Sequence, residues 1–462
     1  MENRSFQYFQ THTLPRWTEF FDSELWSQKV LQLSHTEPAI KHGVLALSTM
    51  HERFECTSPA LSARTRDFAF VQYMQAVKHS NDLLNARQQD GVNLEKVLMA
   101  CIIFTCYENL AGNFKAANMH LQNGMRILNQ YKRNSAQMTA SQDSVSDVLY
   151  RFDLQAMTFS DEASPYDYAF DRPPECPKIP KAYTSNSAAR TDLVGLLRCV
   201  MWAWGVSDDH QESEHPTWFH LYSQLIMSVE KWETTFRNYQ QNIPQHEQGE
   251  PKIYAGNILL QIYAVMSRIV LGAIAGMRTE MTWDGFVGSF RTLVDLAEIL
   301  PTSGPNPSPS SRSSSSPAPL SFSPSFELSP IVPLFFTACR CRDPIIRRRA
   351  IALLLNCRRR EGIWDSLGAG LVAAEWLKME ECIELAEMPP DNWIPLTRGC
   401  QESKHVAERS RVQNVHIEVN LVKGRIDLSY SRVDGGEWKE QRNLNEEGFV
   451  IGDFGAPPSV RA

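Results

Sequence analysis

The sequence predicts an all-α fold, a superhelical array of antiparallel helices with a tetratricopeptide-like hairpin near 92–130 and a small C-terminal β-hairpin. Three observations carry this. Apolar residues recur at spacings of three and four through most of the chain. With 43% apolar and 21% charged residues in a chain of 462, the composition can bury a substantial core. The period falls to two only near residues 415–430.

The elements follow in order. Phe20-Phe21-Asp22-Ser23-Glu24 supplies side-chain acceptors that can cap a helix through Leu25, Trp26, Val30 and Leu33. Thr36-Glu37-Pro38 opens a second, whose first turn tolerates the missing proline N–H. Ile40, Val44, Leu47 and Met50/His51 give it one apolar face. A third covers roughly 67–84, and Asn85 to Gly91 reads as a turn. Leu94, Val97, Leu98 and Cys101 to Phe104 make the next helix apolar nearly all round, which marks it as central. Gly112-Asn113 breaks it, and Phe114, Ala117, Leu121, Gly124 and Leu128 mark an antiparallel partner. Ala116, Ala117 and Gly124 allow close backbone approach, although no fixed 34-residue period is present.

Val145 to Phe159 is a further helix, followed by a loop dense in proline at 165, 173, 174, 177 and 180. More helices are expected near 191–204, 216–239, 252–277 and 284–300, then at Phe335 to Cys341, Pro344 to Arg360 and Trp364 to Glu387. Between them, 301–330 is rich in serine and proline and is expected to be a disordered insertion, because such a run cannot offset its chain entropy. Val415, Ile417, Val419 and Leu421 alternate with polar residues, Lys423-Gly424 turns, and Ile426, Leu428 and Tyr430 alternate back. The organisation read from this is a helical body at 1–300, the insertion at 301–330, helices of the same body at 331–400, and a β-hairpin near 412–432 with a flexible tail within 401–462.

Composition narrows function. A formal net charge of −7 counts against a self-sufficient nucleic-acid binder. The N-terminus has no basic segment followed by an apolar one, so secretion is not expected. Ile258 to Met277 is the best membrane candidate. Gln261, Ser267 and Arg268 interrupt it, and a central arginine is costly in lipid, so it reads as a core helix. Ten cysteines are scattered with no Cys-x-x-Cys pair, and Cys339-Arg-Cys341 lacks a second pair at metal-ligand spacing. The thiols are therefore expected to be reduced, with no zinc site among them. Neither a Gly-x-Gly-x-x-Gly nor a Gly-Lys-Ser/Thr loop is present, nor a His-Glu-x-x-His or Gly-x-Ser-x-Gly element.

Two clusters remain as candidates. Asp208, Asp209, His210, Glu212, Glu214, His215 and His220 could hold a divalent metal or perform acid–base work. The plainer reading, a solvated loop before a helix, is preferred because His215 and His220 are five apart and do not share a helical face. Arg340, Arg342, Arg347, Arg348, Arg349, Arg358, Arg359 and Arg360 could suit nucleic acid. On a helical wheel they surround the core face instead of forming one stripe, so most are expected to be solvated or paired with Asp343, Glu361, Asp365, Glu380 and Glu381.

A family resemblance sharpens this picture. Phe20 to Trp26 with Val30 to His42 and Leu45 to Leu47, then Tyr107 to Leu110 through His120 to Gly124, resemble the regulatory region of fungal binuclear zinc-cluster transcription factors. Cys341 to Arg348 with Arg359 to Ser366 is similar to that family's closing block. The resemblance implies a helical regulatory body in the nucleus, or shared with the cytoplasm, that controls a nutrient-use or secondary-metabolite gene set. Its implied partners are other transcription proteins, a second copy of the chain, or a small-molecule effector. The family's six-cysteine cluster is not matched, since the first cysteine is Cys56 and stands alone. Direct zinc-cluster DNA binding by this chain is therefore not expected; either it acts through partners or an upstream exon carries the cluster. No catalytic residue, cofactor, metal or membrane contact is expected. An effector pocket would draw on Phe104, Tyr107, Trp202, Trp204 and Tyr263, although core filling is the preferred reading of these aromatics. The alternative is a cytosolic helical enzyme or pathway accessory protein without a recognisable catalytic motif.

Overall fold

The computed structural model describes residues 1–55, 59–85, 92–134, 140–159, 173–208, 216–275, 279–301, 323–357, 359–381, 406–420, 425–433 and 437–443. Helix begins at once, where sequence patterning gave no signal. α1 (Glu2–Tyr8) runs through a π-helical turn at Phe9–Thr13 into α2 (Leu14–Trp17). Its buried face is Ser5, Phe9, Thr13 and Trp17, a period of four in which every other member is a hydroxyl. Ser5 Oγ bonds Thr49 Oγ1 at 3.0 Å and Thr13 Oγ1 bonds His51 Nδ1 at 2.8 Å, so the polar members are satisfied inside the fold.

A second π-helical turn (Leu25–Lys29) leads into α3 (Val30–Thr36), and α4 (Pro38–Glu55) follows. The expected face of α4 is buried at Ile40, Val44, Leu47, Met50 and His51, and α1, α3, α5 (Pro59–Asn85) and α6 (Val92–Ala111) pack around it. α5 starts eight residues earlier than its apolar pattern suggested. α6 and α7 (Phe114–Asn134) form the expected hairpin. Gly112 takes φ 77, its N–H donates to Asn109 O at 3.1 Å, and Asn113 N–H donates to Glu108 O at 2.8 Å. That pair of bonds is a Schellman cap, which needs the left-handed backbone glycine supplies. A Cβ at Gly124 would lie 3.2 Å from Cys101 Cβ, which confirms the close approach of the two helices.

α8 (Ala140–Met157) closes the first half. After it come α9 (Asn186–Asp208), α10 (Pro216–Gln241), α11 (Gln245–Gln248) and α12 (Pro251–Ala275). A 3-10 helix (Glu280–Phe286) precedes α13 (Val287–Ile299). α12 is long and apolar enough to cross a membrane by length and composition, but 72% of that window is buried inside the fold. It packs on α9, α10 and α13 as a core helix, and Arg268, the interrupting charge, pairs with Glu233 of α10.

Residues 302–322 of the expected insertion lie outside the described residues. Its end does not behave as an insertion, because 324–330 are buried. β1 (Ser323–Ser325) pairs in parallel with β2 (Arg359–Glu361), reached after α14 (Ile331–Arg340) and α15 (Pro344–Cys357). α15 therefore ends at Cys357 and not at Arg360; the next residues are extended to pair with β1. β3 (Trp364–Asp365) returns after Gly362 (φ 53), and α16 (Ser366–Glu381) follows. Near the C-terminus, β4 (Val412–Asn420) and β5 (Arg425–Arg432) pair Ile417 with Leu428 and Val419 with Ile426. β6 (Glu437–Asn443) adds a third strand. The fold is all-α with this small β element; the turn at Lys423-Gly424 and the tail lie outside the described residues.

The core forms two apolar clusters. The first gathers α1 to α8 around α4 and α6; the second gathers α9 to α16 around α12, with Val412 and Tyr430 at its margin. Tyr150, Met201 and Trp202 touch both.

Candidate functional site: a buried ion-pair seam

Where the clusters meet, 323–329 runs between them, and its two large apolar side chains reach different clusters. Phe326 enters the first cluster, 4.8 Å from Trp17 and 5.5 Å from Phe152 by ring centroids, while Leu328 enters the second. Glu327 lies between and is 1% exposed. Its carboxylate is 2.8 Å from Arg190 Nη1 of α9 and 3.2 Å from Arg151 Nη1 of α8. Asp147, one turn before Arg151, meets the same two guanidiniums at 3.1 and 3.2 Å and accepts from Thr191 Oγ1 at 2.7 Å. Two arginines and two acids thus close a buried square, with Arg190 also over the Phe21 ring at 4.7 Å. Burial alone would raise the Asp147 carboxyl, but Arg151 and Arg190 outweigh it and hold the group low.

The seam continues through β2. Arg359 pairs with Glu19 at 2.5 Å and covers the Phe20 ring at 4.7 Å. Arg360 Nη2 donates to Asn109 O at 3.0 Å, the carbonyl that also caps α6. Arg198 Nη2 lies 2.6 Å from Asp153, and Trp364 Nε1 donates to Thr158 Oγ1 at 3.1 Å. Every one of these contacts joins an element before residue 160 to one after residue 185. Glu361 is buried near Arg359, with its carboxyl pushed up to about 7 by burial, which Arg359 offsets in part.

The family comparison bears on the N-terminal part of the chain, and one relative extends well beyond it. Residues 4–178 match the model of the fungal specific transcription factor domain. It is 26% identical over 138 residues to the transcription regulator lscL of Purpureocillium lilacinum, which covers 27% of this chain and 31% of that protein. It is 24% identical over 418 residues to the aspercryptin biosynthesis cluster-specific transcription regulator atnN of Emericella nidulans, covering 73% of this chain and 67% of that protein. The chain thus spans about a third of the first relative's length and two thirds of the second's. No solved structure matches it. The match ends within the proline-rich segment that follows α8, so the seam joins the matched segment to the helices that follow.

Beyond the seam, a second ion-pair group holds the far end of the body. Glu380 of α16 accepts from Arg342 Nη2 at 2.8 Å, Trp376 Nε1 at 3.1 Å and the Val412 backbone N–H at 2.9 Å, and forms an ion pair with Arg347 Nη1 at 2.7 Å. Arg342 also reaches Glu280 at 2.8 Å, and Arg411 forks onto Asp284 at 2.7 and 3.0 Å. Burial opposes ionisation of Glu380, but Arg347 and Arg342 prevail and hold it at about 2.

The arginine series is therefore corrected in one respect. Pairing with Glu361, Glu380 and Glu381 holds, but Arg342, Arg347, Arg348, Arg359 and Arg360 are buried, not solvated. Arg349 lies at the surface and pairs with Asp295 and Glu298 of α13. Arg358 is outside the described residues. Asp343 and Asp365 act as caps, accepting from Ile346 N at 3.0 Å and Gly368 N at 2.8 Å.

In the other cluster, residues 209–215 lie outside the described residues, and His220 is exposed on α10. Among the described residues no group of three or more His, Cys, Asp or Glu is placed to hold a metal ion. The five aromatics proposed for an effector do not converge. Phe104 and Tyr107 meet Tyr73 in the first cluster, with Tyr107 stacked on it at 4.2 Å. Trp204 packs near Trp283 in the second cluster, and Tyr263 is buried there, donating to Ser329 O at 2.9 Å. Trp202 touches both clusters. Sequence reasoning missed Asp147, Arg151, Arg190 and Glu327. The available signal was the Asp147/Arg151 pair at i,i+4 beside the core positions Val148 and Phe152.

Proposed function

We propose that this chain is a nuclear transcriptional regulator of a secondary-metabolite biosynthesis gene set, acting through contacts with other transcription proteins. The observation that carries the reading is the match of residues 4–178 to the fungal specific transcription factor domain. Two relatives named as transcription regulators, one of them specific to a biosynthesis cluster, support it. The geometry agrees with a binding and relaying role. Its buried charges are paired with one another across elements, a use of buried ions that fixes one arrangement of packed elements. Large apolar side chains exposed on α5 (Phe70, Val71, Met74) and α10 (Phe219, Met227) suit protein contacts.

In this reading residues 1–300 and the helices after 330 work as one body, and the three-stranded sheet is its appendage. Deleting the gene and profiling transcripts tests the function. The expected result is a coordinated change in one physically clustered set of biosynthetic genes. Unchanged transcripts with an altered metabolite level would instead point to a pathway enzyme or accessory protein.

A further inference from the structure

Away from the seam, two thiols meet across separate elements. The proline-rich strap that starts at Pro173 crosses α9 at Gly195 and Cys199. The Cys199 thiol donates to Pro174 O at 3.3 Å. Four residues earlier on α9, a Cβ at Gly195 would lie 3.1 Å from Pro177 Cγ, so the strap rests directly on the helix there. Cys176 sits between these anchors. Its thiol neighbours that of Cys199 and lies 3.6 Å from Ser228 Oγ of α10. Cys199 is fully buried and Cys176 half-buried, so a small solute reaches Cys176 first. When Cys176 ionises, the Cys199 S–H can turn from Pro174 O to its sulfur, which lowers the Cys176 thiol below its ordinary range and favours the nucleophilic thiolate. Burial pushes Cys101, Cys339, Cys341 and Cys357 upward, to between about 11 and 12, and raises Cys106 as well.

We propose that Cys176 and Cys199 are a peroxide-reactive dithiol that closes to a disulfide and staples the strap to α9. The Cys176 thiolate attacks one oxygen of hydrogen peroxide, the O–O bond breaks, and with one proton the leaving oxygen departs as water, leaving a sulfenic acid. Cys199 sulfur then attacks the Cys176 sulfur, the S–O bond breaks, and the displaced hydroxide takes the Cys199 proton as a second water. Two thiols lose two electrons and peroxide gains them. The sulfurs must close from hydrogen-bonding distance to about 2.0 Å. The strap is held on the helices by isolated bonds such as Lys231 Nζ to Ile179 O at 2.5 Å, and not by a helical ladder, so it can follow. The staple would form where the fungal-specific domain ends, at residue 178. A redox state would thereby be written into the junction between that domain and the helices beyond it.

The test is peptide mapping of the full folded chain after reduction, exposure to hydrogen peroxide, quenching, and alkylation in denaturant. The expected product is a Cys176–Cys199 linked peptide two hydrogens lighter than its parts, with Cys101, Cys106, Cys339, Cys341 and Cys357 alkylated. Cys176→Ser should abolish the link and leave Cys199 alkylated. Cys199→Ala should let dimedone capture a sulfenic acid on Cys176. Recovery of both wild-type thiols in alkylated form would overturn the proposal. So would Cys176 passing to sulfinic acid while Cys199 stays a thiol.

Discussion

Glu380 offers the sharpest test of the reasoning about buried charge. Replacing it with alanine removes the ion-pair partner of two buried guanidiniums and the acceptor of an indole N–H and a backbone N–H, all at 2.7 to 3.1 Å. Two routes give the magnitude. Removing one partner of a buried ion pair costs about 3–5 kcal/mol. Independently, a carboxyl held at about 2 against its ordinary 4.5 contributes ~3 kcal/mol when ionised. The folded value is the lower one, so this contribution is present above pH 4.5 and is lost as pH falls from there through 2. The Trp376 and Val412 donors, left without this acceptor, place Glu380→Ala toward the upper end of the range. Unfolding entropy for a chain of this length is roughly 1 kcal/mol per kelvin, so the melting temperature should fall by about 3–5 °C at pH 7. Circular dichroism at 222 nm against temperature reads this directly. Combining Glu380→Leu with Arg342→Met and Arg347→Met should recover most of the loss, since Glu280, which also meets Arg342, keeps its pair with Arg340. A melting temperature for Glu380→Ala within a degree of the parent would refute the argument.

Three other expectations rest on single sites. Glu361 is the opposite case to Glu380: its folded value is raised to about 7, so the stability it contributes is full below pH 4.5 and is lost as pH rises through 7. Glu361→Gln should therefore stabilise the chain at pH 8 by up to about 3 kcal/mol and do little at pH 4.5; an equal effect at both would be contrary. Phe326→Ala removes the ring wedged against Trp17 and Phe152 and should cost about 3–5 kcal/mol in denaturant unfolding, with a loss below 1 kcal/mol the contrary result. At Gly43, a Cβ would lie 2.8 Å from Ile103 Cγ2, so Gly43→Ala should lower stability by about 1–2 kcal/mol despite alanine's better helix propensity. A more stable Gly43→Ala variant in the same unfolding assay would show that Ile103 yields freely.

How much could be read beforehand follows from where the partners lie. Helices whose apolar faces are complete in themselves, such as α4, α6 and α12, were legible, as were the Gly112 turn and the β4–β5 register through Ile417, Val419, Ile426 and Leu428. α1 and α2 were not, because Ser5 and Thr13 occupy half of their buried face and find their partners on α4. A hydroxyl looks like a surface residue until the group 38 residues away that bonds it is known. The arginines misled for the same reason. A helical wheel places Arg347 and Arg348 outside the core face, whereas Glu380 and Glu381 follow them inside it. The seam could be read least of all: Glu327 lies 137 residues from Arg190, and Glu19 lies 340 from Arg359. Local spacing holds no record of such pairs.

The most direct test of the regulator reading is chromatin immunoprecipitation of the tagged full chain expressed from its own locus. The account predicts enrichment at promoters within one contiguous set of biosynthetic genes, reached through partner proteins. Signal equal to the untagged control across the genome would contradict it.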